Sequence, residues 1–152
     1  MNLSKWAVWL GWAACFAVGV STSGTVFADP LGDRMAALLK VAQTPTYRAM
    51  EVPSTGSFVA DQITLMSLTA GTDSAASEQL VEVLSRPEPV QLAVMGEDDA
   101  IAAATLERAL TKVRGRPLAA HQLAYIGGKE FQEPLTKTAE EAGVKLLFIV
   151  FP

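Results

Sequence analysis

Three apolar runs, residues 90–95, 118–126 and 144–151, punctuate the second half of the chain. The two segments between them carry apolar residues at helical spacing. In the first, Leu106, Leu110 and Val113 fall at i, i+4 and i+7, and Gly115 and Pro117 close it. In the second, Pro134 suits a first helical turn and Gly143 a helix end. This alternation predicts a β-α-β-α-β unit with parallel strands. Residues 146–151 are apolar at every position. That composition predicts a strand inside a sheet covered on both sides. The expected fold is a small three-layer α/β sandwich built on this C-terminal unit, with N-terminal helices packed on it.

The first half is less regular. Met35, Leu38, Leu39 and Ala42 share one face of a helix that begins near Asp33 and stops at Thr44-Pro45. Pro53-Ser54-Thr55-Gly56-Ser57 is a turn cluster. Residues 58–69 fit two templates. Val59, Ile63 and Met66 lie at helical spacing, whereas the β-branched and apolar content suits a strand with Val59, Ile63 and Leu65 on one face; the expectation is a strand. Thr72-Asp73-Ser74 then offers N-caps to a helix with Leu80, Val81 and Leu84 as its buried stripe. Arg86-Pro87-Glu88-Pro89 ends it, because two prolines remove two donors and force extended backbone before each. We read this stretch as a connector between residues 29–86 and the core at 90–152, within one domain, because the earlier half holds too few large apolar residues to bury a core alone.

Residues 1–28 differ from all that follow. A short start with one charge, Lys5, leads into an apolar run over residues 6–20, then a small polar stretch and Val26-Phe27-Ala28. This is the three-part layout of a secretory signal peptide, cleaved after Ala28. The run is short for a membrane span, which needs about 20 residues. An uncleaved anchor is the first alternative, and a lipoprotein at Cys15 the second, weakened by Trp12 where such sites favour Leu. Cleavage leaves 124 of the 152 residues and removes the single cysteine and all three tryptophans. The exported chain, periplasmic or extracellular, then forms no disulfide and depends on packing alone.

Charge narrows the partners. The net charge is −4 over the full sequence and −5 once Lys5 is lost, with Lys and Arg scattered. Nothing here matches the basic footprint that binds phosphate backbones, so nucleic acid is not an expected partner.

Candidate chemistry follows from the predicted sheet. Parallel sheets bind ligands beyond the carboxyl ends of their strands. That edge would carry Glu97, Asp98 and Asp99 after the first run and Gly127, Gly128 and Lys129 after the second. The acids suit a cation, and the glycine backbone with Lys129 suits an anion. The competing reading makes the acids helix caps and the glycines a turn. No G-x-G-x-x-G follows a strand, and Gly128-Lys129 runs into Glu130 rather than the Ser or Thr of a phosphate loop. His121, the one histidine, cannot assemble a zinc site without cysteines, and no nucleophile elbow accompanies it. On the strand expected there, it is a hydrogen-bonded core or sheet-surface residue. No catalytic residue, metal or cofactor is implied. Residues 127–133 read as a long loop with Phe131 at its centre, a candidate anchor for a protein partner. The functional expectation is an exported, non-enzymatic protein that binds another envelope protein. The alternative is a small-ligand or cation-binding protein, or a minor hydrolase, using the strand edge. A homodimer with its sheet continued across subunits would suit so few strands.

Overall fold

The computed structural model describes residues 30–42 and 46–152. The expected leader, its cleavage point and Cys15 lie outside these residues. The elements run α1 (Pro30–Val41), β1 (Arg48–Val52), α2 (Phe58–Thr69), α3 (Ala75–Leu84), β2 (Gln91–Gly96), α4 (Asp99–Val113), β3 (Gln122–Gly127), a single 3-10 turn (Lys129–Phe131), α5 (Gln132–Ala142) and β4 (Lys145–Val150). All four strands are parallel and lie in the order β1-β2-β3-β4. The predicted β-α-β-α-β unit is β2-α4-β3-α5-β4, and the α/β sandwich has three layers.

A sheet wound in one direction through crossovers of one hand places every crossover helix on the same face. Packing follows that rule. Leu68 of α2, Leu80 and Leu84 of α3, Leu106 and Leu110 of α4 and Leu135 of α5 form one buried cluster with Leu92, Val94, Leu123 and Tyr125. Across this face Met50, Val94, Tyr125 and Phe148 stand in one row, and the Tyr125 and Phe148 rings are 5.2 Å apart. The opposite face is covered by α1. Leu38 and Ala42 pack on Ala93, Met95, Ala124, Ile126 and Ile149. Ala93 and Ala124 are register partners, and two methyl side chains side by side let the helix lie close to the sheet.

The N-terminal half differs from expectation in two places. Residues 58–69 form a helix, not a strand. Ser57 is extended at its N-cap position, and Asp61 accepts hydrogen bonds from the backbone N–H and the hydroxyl of Thr55, fixing the turn that starts it. The strand of this region is β1, ten residues earlier. As an edge strand it buries only Val52 and half-buries Met50, so it needs no apolar alternation to form.

Four boundaries also shift. The run at 118–126 becomes a strand only at Gln122, because Leu118 and His121 close a turn after Pro117. The run at 90–95 becomes a strand one residue later at each end, and Gly96 closes β2. There a Cβ would stand 2.8 Å from the Val52 carbonyl oxygen. The loop expected over 127–133 is nearly absent, since the 3-10 turn and α5 occupy it. Pro134 is the third residue of α5, where its missing N–H would have no helical partner in any case. Finally, β4 is an edge strand of the described sheet and not an interior one, since it pairs with β3 alone.

The turn between α2 and α3 is pinned to α4 by charge. Asp73 accepts from Lys112 at 2.6 Å and from Arg108 at 2.8 Å. The hydrogen bond from Lys112, and next that from Arg108, hold the Asp73 carboxyl below its ordinary value. A lowered carboxyl contributes stability that is complete above its unfolded value and is lost as pH falls through the folded one. Urea unfolding followed from about pH 5 down to pH 2 should therefore show an acid-side loss that Asp73→Asn removes.

Candidate functional site

The carboxyl edge of the sheet brings together most of the residues singled out in the sequence, but it uses them internally. Asp98 is the N-cap of α4, its Oδ1 accepting from the Ile101 N–H at 2.9 Å. Asp99 is a junction. One carboxylate oxygen accepts from Arg34 of α1 at 2.6 Å and the other from the Gly128 N–H at 2.9 Å. Its backbone carbonyl accepts from the Tyr125 hydroxyl at 2.8 Å. Burial, and then the nearby Asp99 charge, push the Tyr125 phenol well above its ordinary value. The neutral, donating form is the one the site holds.

Arg34 completes the closure. It is 8 % exposed, donates also to the Ile126 carbonyl at 3.2 Å, and lies 5.2 Å from the centre of the Phe151 ring. Phe151 in turn donates its N–H to Gly127 at 2.9 Å. Gly127 has no room for a side chain, because a Cβ there would stand 2.8 Å from the Tyr125 ring. α1, the start of α4 and the ends of β3 and β4 thus meet over the place where a ligand would enter. The strand order explains why. A crevice opens at the carboxyl edge where crossovers diverge to opposite faces, and a sheet ordered β1-β2-β3-β4 has no such point.

Glu97 stands apart from this network, exposed, and accepts from the Ser54 hydroxyl at 3.0 Å. Lys129 faces outward, at one end of a depression of about 510 Å³ along α5 with Glu133 and Glu140. The six edge residues therefore do not converge on one point. Phe131 is half-buried, packed against the main core. His121 is 2 % exposed and lies outside the strand, with its Nδ1 accepting from the Val90 N–H at 3.1 Å. Of the two places expected for it, core or sheet surface, it takes the core, in the turn before the strand rather than on it. Among the described residues no group of three His, Cys, Asp or Glu is placed to hold a metal ion.

Two surfaces were not singled out in the sequence. The first is a groove of about 640 Å³ beside the free edge of β1, at the amino ends of β1 and β2. Met50, Val83 and Leu92 give it apolar walls, and Arg48, Arg86 and Gln91 line it as well. The second is the outer face of α2. Phe58, Val59, Ile63 and Met66 are 79, 66, 60 and 69 % exposed. The Val59, Ile63 and Met66 spacing was legible as a helical stripe; only its direction, toward solvent, was not.

Removing one partner of a largely buried ion pair leaves the other charge uncompensated. Asp99→Ala should cost about 3 kcal/mol of unfolding free energy. Asp98→Ala should cost about 1 kcal/mol, the worth of a cap. Glu97→Ala should cost less than about 0.5 kcal/mol. Urea denaturation of the three variants checks the order.

No family model matches this chain, and no curated protein or solved structure matches it. The geometry of its own surface is what speaks to function.

Proposed function

We propose that the protein is an exported, non-enzymatic binding component of the cell envelope that takes up an extended segment of another envelope protein beside β1. The observation that carries this reading is the groove along β1. An edge strand presents backbone N–H and C=O groups with no strand neighbour on one side. A peptide laid against it satisfies them as a fifth strand and sends alternate side chains toward the groove. Met50, Val83 and Leu92 would receive an apolar side chain. Arg48 and Arg86 would favour acidic residues near it, which gives the segment its chemistry. The leader-like residues 1–28 support an envelope location, and the acidic net charge is consistent with a protein partner rather than a nucleic acid. At the carboxyl edge Asp98 and Asp99 are already committed within the chain, so that edge offers a ligand or cation much less.

The test is an affinity pull-down of tagged full-length protein from cross-linked envelopes, with cross-linked peptides mapped by mass spectrometry. A stoichiometric partner should be recovered, cross-linked through an acidic extended stretch to β1 or α3. Arg48→Glu with Arg86→Glu should reduce its recovery by about tenfold or more at unchanged melting temperature, because both side chains are exposed. Equal recovery by the double variant, or cross-links elsewhere on the surface, would refute the groove as the site. The same spectra report whether the mature chain begins at Asp29.

A further inference from the structure

The two edges of the sheet are not alike. β1 shows Arg48 and Glu51 to solvent and runs into Pro53, charges and a proline that restrict what can pair with it. β4 has no such protection after Lys145. Residues 146–151 are all apolar, Val150 is 52 % exposed, and the strand pairs with β3 alone. Its free backbone groups can be assigned. In a pleated strand the N–H and C=O of one residue point to one neighbour and those of the next residue to the other. Phe151 donates its N–H to Gly127 of β3. Leu147 and Ile149 therefore also turn toward β3, and Leu146, Phe148 and Val150 present their N–H and C=O groups to the open edge.

We propose that this edge pairs with the same edge of a second copy, β4 antiparallel to β4, about a two-fold axis that passes through Phe148 normal to the sheet. Three observations select a second copy. First, the free groups satisfy one another in one register. Opposed residues of an antiparallel pair share a face, and this axis sets Phe148 against Phe148 and Leu146 against Val150, so every outward residue exchanges both of its hydrogen bonds. Moving the axis to Leu147 sets Val150 against Val144, whose N–H is taken by Ala139. Moving it to Ile149 sets Leu146 against Pro152, which has no N–H. Second, the same register pairs charges. Leu147, Ile149 and Phe151 pack on the α1 side of the sheet, and Lys145 shares that side by alternation. The axis sets Lys145 of one copy opposite Phe151 of the other, where Phe151 and the exposed Asp33 line a depression of about 490 Å³. Neither Lys145 nor Asp33 has an ion-pair partner among the described residues. Third, the helix on the other face leaves room. Glu141 of α5 pairs with Arg114 at the end of α4, and Gln132 and Thr136 stand about 180° and 140° from Glu141 on a helical wheel. The side of α5 turned away from α4, toward the open edge, is therefore polar and uncharged at these positions. The two-fold contact is isologous and closes after two copies. It leaves β1 and its groove at both outer ends of the joined sheet, so it does not depend on what the groove binds.

The test takes the chain as the cell processes it, purified from the envelope fraction, and measures its mass by sedimentation velocity. The wild-type protein should be a dimer. Val150→Pro should weaken association by about 100-fold or more while circular dichroism stays unchanged. The N–H it removes has no bond to β3, and its ring stands in the seam between copies. Lys145→Glu should weaken association by about tenfold, and Asp33→Lys added to it should restore the dimer, because the exchange reverses the pair. Both side chains are exposed, so this pair of variants decides should Val150→Pro fail to fold. A monomeric wild type, an assembly larger than a dimer, a dimer that survives folded Val150→Pro, or Lys145→Glu without a defect that Asp33→Lys repairs would overturn the proposal.

Discussion

The arrangement of this protein depends on one topological constraint. Four parallel strands are laid down in sequence order, and crossovers of a single hand then send α2, α3, α4 and α5 to the same face of the sheet. The other face receives none of these crossover helices, and α1, which precedes the first strand, covers it. The constraint also decides where a site can be. Without a reversal of strand order there is no divergence of loops at the carboxyl edge, and Arg34, Asp99, Tyr125 and Phe151 fill the space that a crevice would have occupied. What remains open among the described residues is peripheral, as at the edge of β1 and the outside of α2.

The legible parts of the fold are those where local signals agree with each other. Over α4, the Asp98 cap, the Leu106, Leu110 and Val113 stripe and the Gly115 stop all point to one helix, and that helix is present. Less was legible where burial is one-sided or where tertiary context decides. β1 shows Arg48, Ala49 and Glu51 to solvent, so its five residues carry no alternation to read. α2 is apolar on both sides, which blurs the contrast that distinguishes a helix from a strand. β4 has the composition of an interior strand and the position of an edge one; no local pattern encodes how many strands follow.

The candidate site was legible in its residue types but not in their roles. A cap such as Asp98 satisfies donors three residues away, and sequence spacing reveals it. Asp99 meets Arg34 across 65 residues and Gly128 across 29, and pairings of that range leave no mark on the intervening sequence. The two open surfaces share a different difficulty. Arg48 and Arg86 gain meaning only when the sheet brings α3 alongside β1, and the Val59, Ile63 and Met66 stripe gains its meaning from pointing away from the core.

Helix α1 has a consequence for how the molecule comes apart. A sheet in which every strand neighbours the next in sequence resembles a short array of repeats, and such arrays unravel from their ends unit by unit. α1 lies across β2, β3 and β4 and is latched at its far side by Arg34. It works as a strap that binds three units into a single cooperative body, so the C-terminal strand cannot peel away while the latch holds. β1 lies beyond the three strands it chiefly covers. That strand is held instead through its pairing with β2 and its contacts with α4, so the strand that borders the groove is tied to the body by a different set of contacts from the other three.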